Sequence, residues 1–215
     1  DFVEIGWMLG QVRARIDRAG GGRLLAVGVS LGGNALLRWA GESGSRARDV
    51  VQAIAAVCAP VDLAAGGWAI GRGFNRQVYN RMFLQTMKPK ALTKLKQHPG
   101  LFDAQALVRA KDLYAFDQIF TAPLHGFHST EDYWARASSK PMLASIRLPA
   151  LVLNARNDPF IPAWSLPTAA SVSKDVTLWQ PEHGGHVGFP AGVWPGHVRG
   201  LPARVGAWLD ASATG

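Results

Sequence analysis

Leu24-Leu25-Ala26-Val27-Gly28-Val29-Ser30-Leu31-Gly32 decides the fold of this chain. An apolar run leads straight into Gly-x-Ser-x-Gly. From Leu31 to Ala40 the pattern turns helical, with Leu31, Ala35, Leu36, Trp39 and Ala40 expected on one side. A serine at a sharp strand-to-helix turn is held in a strained backbone geometry that pushes its hydroxyl out at the end of the sheet. The flanking Gly28 and Gly32 are expected where a Cβ would strike the neighbouring strand or helix. The first N–H groups of the helix aim at the same spot and can stabilise negative charge on a reacting oxygen. A chain with 24 Gly produces this pattern by chance too. The weight therefore rests on the context: strand before, helix after, and chemical partners downstream.

Working outward, the same alternation continues. Phe2, Ile5, Leu9, Val12 and Ile16 lie at helical spacing, and Gly20-Gly21-Gly22 stops that helix. Arg23 to Val29 reads as a strand, and Val50 to Val57 as a central parallel strand. Ala150 to Asn154 and Asp175 to Gln180 are two more, with a helix expected between them. A last helix is expected near Ala203 to Leu209, with Pro202 at its start. Alternating strands and helices imply a mostly parallel sheet covered on both faces. From about Asp62 to Ser139 the composition changes to helical, aromatic and basic, without a convincing strand. Candidate helices or turns there are Phe74 to Met87, Leu92 to Gln97, Asp103 to Ala110 and Asp117 to Phe120. We expect a core formed by residues 1–61 and 140–215. Residues 62–139 are expected as a helical lid insertion over the strand ends, where ligands bind in such sheets.

Composition narrows the class. With 215 residues and 48% hydrophobic content, the chain can bury the core of one globular domain. The formal net charge of +8 comes mostly from dispersed arginines, and no nucleic-acid motif accompanies it. Lys88, Lys90, Lys94 and Lys96 form the one local cluster. They read as a solvated helix face, or as a contact for anionic lipid head groups. Cys58 is the single cysteine and cannot form an internal disulfide; it reads as a buried, inert thiol in a reducing, cytoplasmic setting. No run of ~18 apolar residues is present, the length a membrane-spanning helix needs.

A serine hydroxyl is a poor nucleophile at neutral pH. It needs a base within hydrogen-bond reach, and the base needs an orienting group. When the serine sits on such a turn, the chain order is Ser, then Asp or Glu, then His. Asp158 follows the strand Ala150 to Asn154 directly and is the expected acid, with Asp175 as a weaker rival. The loop Pro181-Glu182-His183-Gly184-Gly185-His186-Val187-Gly188-Phe189 offers two histidines. His186, between glycine-rich segments, is favoured over His183 by position alone. No third residue is spaced with this pair as a metal ligand would be. His98, His125, His128 and His197 have no comparable setting. The backbone N–H of Leu31 is the expected oxyanion donor.

Three stretches together resemble one family. Gly28-Val29-Ser30-Leu31-Gly32-Gly33-Asn34 resembles the elbow of the YheT-like α/β-hydrolases, bacterial relatives of the animal abhydrolase lipid esterases. Asn154-Ala155-Arg156-Asn157-Asp158-Pro159-Phe160 is similar to the family's acid segment, and Gly184-Gly185-His186-Val187-Gly188-Phe189 to its histidine segment. A fourth stretch, from Phe116-Asp117-Gln118 through Thr121-Ala122-Pro123-Leu124-His125-Gly126-Phe127 to Glu131-Asp132-Tyr133, is similar to its lid segment. The resemblance implies an α/β-hydrolase fold with Ser30, Asp158 and His186 as triad, which decides between the two histidines. It implies a carboxylic ester hydrolase of esterase or lipase type, acting without cofactor or metal on a small-molecule or lipid ester. Two alternatives stand beside it: an acyltransferase using an alcohol acceptor, and a non-catalytic lipid- or partner-binding module.

Family members carry roughly a hundred residues ahead of the position matching residue 1, including early strands and a second oxyanion donor. The chain is therefore expected to be the latter part of a longer protein. Trp68, Phe74, Phe83 and Phe127 either pack the insertion's own core or supply an acyl pocket. Peripheral membrane contact through the insertion is the remaining expectation about partners; nucleic acid is not expected.

Overall fold

The computed structural model describes residues 2–193 and 196–213. The chain divides into two compact units, one formed by Asp1–Asp62 with Ala137–Gly215, the other by Leu63–Arg136. The first unit is a parallel four-stranded sheet with helices on both faces. Its strands are β1 (Leu25–Val29), β2 (Ala53–Val57), β3 (Ala150–Leu153) and β4 (Val176–Trp179), and they lie in sequence order. Val29, Val57, Leu153 and Trp179 stand in one row across the sheet and mark the carboxyl end of all four strands.

The strand sequences explain this layout. β2 and β3 are continuous apolar runs, Ala-Ile-Ala-Ala-Val and Ala-Leu-Val-Leu, and every residue of both is buried. That is the signature of a strand covered on both faces. On one face, Leu36, Leu37, Trp39 and Ala40 of α2 (Leu31–Ser43) pack against Ile54, Ala56, Ala150 and Val152, joined by Phe2, Ile5 and Leu9 of α1 (Phe2–Arg18). On the other, Val205 and Leu209 of the last helix (Gly200–Ser212) meet Ala53, Ala55, Leu151 and Leu153.

Several expectations need correction. Three strands start later than the apolar patterns suggest, β1 at Leu25, β2 at Ala53 and β4 at Val176, while β3 begins at Ala150 as expected; the final helix begins before Pro202. Leu31 is not on the packed face of α2; it is exposed, and Leu37, fully buried, takes its place. Val12 likewise faces solvent, because the packed stripe of α1 ends after Leu9 and Arg13 turns its guanidinium to Asp17 and the Gly22 carbonyl. No α-helix joins β3 to β4. Pro159, Pro162 and Pro167 interrupt that segment, leaving two short 3-10 turns at Ala163–Ser165 and Ala169–Ser171.

The second unit is helical throughout its described residues: α3 (Leu63–Ile70), α4 (Gly73–Gln77), α5 (Tyr79–Gln97), α6 (Ala104–Arg109), α7 (Leu113–Phe116), a π turn (Asp117–Thr121), α8 (Ala122–Leu124) and α9 (Thr130–Ala137). α5 runs unbroken through Pro89, which costs one backbone donor. Leu84 and Ala91, buried on either side of the proline, supply packing that outweighs the loss. α3, α7, α8 and α9 are absent from the sequence expectation. Trp68 stacks on Tyr114 with ring centroids 5.4 Å apart, and Trp134 closes the same cluster edge-on. Phe127 packs on Tyr133, whereas Phe74 is exposed. The Trp134 indole donates to Asp117, a buried carboxylate. Burial raises the pKa of Asp117, and the bonds from Thr121 and Trp134 oppose that rise.

Candidate active site

Each strand of the sheet delivers one element of the site just beyond its carboxyl end. Ser30 follows β1. Its N–H donates to the Val57 carbonyl at 2.8 Å, continuing the parallel ladder one residue past the strand. It then turns to φ 51°, ψ −125°, a left-handed conformation that L-residues with a Cβ rarely adopt. Such strain costs roughly 1–3 kcal/mol and persists only where the surroundings over-determine it. Here they do. A Cβ on Gly28 would lie 2.6 Å from the Gly32 carbonyl oxygen, so strand and helix pass in backbone contact. The second close approach is at Gly33, where a Cβ would lie 2.8 Å from the Gly28 carbonyl oxygen and 3.0 Å from Ala59. The expectation for Gly32 is thus corrected: a Cβ there would meet nothing within 4 Å. Its neighbour makes the contact because α2 has already begun at Leu31. As the first residue of that helix, Leu31 carries an N–H that no carbonyl of its own helix can accept.

Cys58 follows β2, Asp158 lies in the loop after β3, and His186 in the loop after β4. His186 Nδ1 is 2.8 Å from Asp158 Oδ2, and His186 Nε2 is 3.1 Å from Ser30 Oγ. An ionised carboxylate can only accept. The Nδ1–H therefore donates to Asp158, and in the neutral ring Nε2 is left to accept from the Ser30 hydroxyl. The Asp158 side chain is fully buried, and its other oxygen accepts from the Phe160 N–H at 2.8 Å. The Phe160 ring lies against the imidazole, 4.7 Å between centroids. Asp158, His186 and Ser30 thus form one continuous line of hydrogen bonds at the end of the sheet. The two rivals lie elsewhere: His183 is exposed, and Asp175 pairs with Arg48 at 3.5 Å.

Two further side chains hold the histidine loop, and sequence reasoning missed both roles. The Asn157 amide oxygen accepts from the N–H of Gly184 and of Gly185, each at 2.9 Å. Cys58 Sγ accepts from the N–H of Val187 at 3.4 Å. Donors immediately before and immediately after His186 are therefore caught from below. A Cβ on Gly184 would strike the Phe189 ring at 2.5 Å, so the loop can close only over glycine. The one signal in the sequence is that Asn157 directly precedes the acid; the residues it reaches lie 27 and 28 positions further on.

Cys58 is fully buried, and burial pushes its thiol up to about 11, with the Asp158 charge adding to the effect. It stays protonated at neutral pH. Ligand atoms of Cys58, Asp158 and His186 fall within 4.8 Å of one another. Two of them are already bonded to each other and the third carries its proton, so this donor set is arranged for the hydrogen-bond line rather than for an ion.

The chain belongs to the alpha/beta hydrolase fold family, whose model matches residues 2–192. It is 36% identical over 186 residues to YheT of Escherichia coli (strain K12), covering 86% of this chain and 54% of that protein. It is 32% identical over 183 residues to phospholipase ABHD3 of Mus musculus, covering 81% and 42%. Among solved structures, an esterase of Pyrococcus furiosus superposes with a TM-score of 0.52 at 15% identity, over 99% of this chain and 62% of that one, a likeness of fold. The chain spans about half the length of the curated relatives it matches. Among the described residues, no helix is long and apolar enough to cross a membrane.

Proposed function

We propose that this chain carries the catalytic residues of a serine hydrolase acting on carboxylic esters. The observation that carries the reading is the unbroken line from Asp158 through His186 to Ser30 Oγ. His186 Nε2 takes the Ser30 proton as Oγ attacks the ester carbonyl. The Leu31 N–H stabilises the oxyanion, and the imidazolium, held by Asp158, returns the proton to the leaving alcohol. Water then enters by the same route, His186 again acting as base, and releases the acid from Ser30. Asn157 and Cys58 are positioning residues in this scheme. The name of phospholipase ABHD3 fits a lipid ester as substrate, and a small-molecule ester would serve the same chemistry.

The test is a fluorophosphonate probe with intact-mass readout on the chain as written. One adduct is expected on the native chain and none on Ser30→Ala, with unchanged thermal melts. His186→Gln is expected to slow labelling by roughly 1,000-fold or more, the scale on which removing a triad member acts. An unlabelled native chain, or labelling that survives Ser30→Ala, overturns the reading.

A further inference from the structure

The helical unit Leu63–Arg136 contains ten Lys and Arg against five Asp and Glu, so it carries +5 of the chain's net +8. Much of that excess surrounds a cleft of about 720 Å³ along α5, whose lining includes Arg76, Asn80, Arg81, Leu84, Lys88 and Lys111. Arg81, Leu84 and Lys88 fall at spacings of three and four, on one face of α5. Among the described residues, no carboxylate lines the cleft. All five acids of the unit are committed elsewhere. Asp103 and Asp112 cap α6 and α7, Asp117 accepts from Trp134, Glu131 accepts from Tyr114, and Asp132 accepts from the His128 N–H and pairs with Arg136.

The walls are fixed from within the unit. Lys88 Nζ donates to the carbonyls of Val108 and Ala110 at 2.7 and 2.6 Å. Asn80, 1% exposed, donates from Nδ2 to the Lys111 carbonyl at 2.9 Å, and its Oδ1 has no partner among the described residues. Four cations held around one concavity without a counter-charge favour an anion there. Two guanidiniums suit the paired oxygens of a phosphate, and the volume exceeds what one inorganic ion fills. Phe74 and Met82, on the segments that supply Arg76 and Arg81, are 70% and 57% exposed. Exposed apolar side chains next to basic ones are the pattern of a surface that meets lipid head groups.

We propose that this cleft binds an organic phosphate, and that its occupant is the head group of an anionic phospholipid. The proposal does not rest on Ser30 chemistry, because its readout is binding. Co-sedimentation of the full chain with phosphatidylcholine vesicles would be compared with vesicles of equal parts phosphatidylcholine and phosphatidylglycerol. Glycerol 1-phosphate would be titrated alone by calorimetry. Salt-sensitive binding to the anionic vesicles only is expected. Arg76→Gln/Arg81→Gln/Lys111→Gln should weaken it roughly 100-fold, at about fivefold per charge lost near such a surface. Lys90→Gln/Lys94→Gln/Lys96→Gln removes equal charge from residues that do not line the cleft and should cost less than about fivefold. Cleft-dependent binding of glycerol 1-phosphate as tight as that of vesicles keeps the phosphate site and replaces the lipid by a soluble ester. Equal losses in the two triple variants, equal binding to neutral vesicles, or no binding to either probe overturns the proposal.

Discussion

Ser30 and Cys58 occupy equivalent places on adjacent strands. Each directly follows the row formed by Val29 and Val57, each donates its N–H to the next strand (Ser30 to Val57, Cys58 to Leu153), and each has φ 51°. The backbone device is therefore the same, at a similar cost in strain. The outcomes differ because the next residues differ. After Ser30 the chain enters α2 at once, which leaves the hydroxyl half-exposed beside a free helix N-terminus. After Cys58 it runs into Ala59-Pro60, and the thiol points into the protein, where it meets the underside of the histidine loop. A left-handed residue at a strand end is thus not in itself a nucleophile. It aims a side chain sharply, and its successors in the chain decide whether it aims at solvent or at the core.

The largest expected effect comes from pushing the two turns apart. Gly33 touches both, since a Cβ there would strike the Gly28 carbonyl and Ala59, the residue after Cys58. Gly33→Ala should lower stability by about 2–3 kcal/mol, the upper part of the range for overpacking a closed site, and Tm by roughly 5–10 °C. Gly28→Ala should do the same. Gly32→Ala, with open space around its Cβ, should stay within about 0.5 kcal/mol. Thermal melts of the three variants decide the matter. If Gly32→Ala is as damaging as Gly33→Ala, the elbow is not shaped by the approach of Gly33 to Gly28.

A second expectation concerns the amide that fixes His186 from the acid side. Asn157→Leu removes the acceptor for two successive N–H groups and should slow fluorophosphonate labelling by roughly 10–100-fold, the scale of a small displacement of a reacting group. Asn157→Asp keeps an acceptor in place and should recover most of the rate. Its added negative charge near the imidazole should move the acidic limb of the pH–rate profile upward. A purely structural residue would show neither the rescue nor the displaced limb, and an unchanged rate in Asn157→Leu would remove Asn157 from the machinery.

Range explains why the elbow could be read in the sequence and the clamp could not. The elbow is local: Gly28, Ser30 and the apolar residues before them state a strand, a close approach and a turn within a few positions. β2 and β3 announce their burial by unbroken apolar composition. Asn157 and Cys58 matter through N–H groups 27 to 129 positions away, and nothing in Asn-Asp-Pro or Cys-Ala-Pro states which loop will lie over them. α5 failed to show for a related reason. Pro89 argues locally for a break, and only the packing of Leu84 and Ala91 argues against it. The Gly32 assignment failed by one residue although α2 starts at Leu31 as expected, because the motif does not state which residue of the first turn faces the strand.

The smallest effect separates the two turns by pH. With its thiol at about 11 in the folded chain against an ordinary 9.0, Cys58 binds its proton more tightly when folded than when unfolded. The sign comes from linkage: the neutral thiol stabilises the fold below about pH 9, and that contribution is lost as pH rises toward about 11. Cys58→Ser replaces the thiol by a hydroxyl that does not titrate there. The variant should be less stable than the native chain by about 1–2 kcal/mol near neutral pH, as for other exchanges that bury a more polar group. Denaturant melts on both chains should show that gap narrowing as pH passes from about 9 to about 11. Iodoacetamide should leave the folded native chain nearly untouched near neutral pH, because the thiolate is scarce and covered, and should modify it readily once unfolded. Rapid alkylation of the folded chain at neutral pH would mean that the thiol reaches solvent, and the contrast with Ser30 would then lie in chemistry rather than in aim.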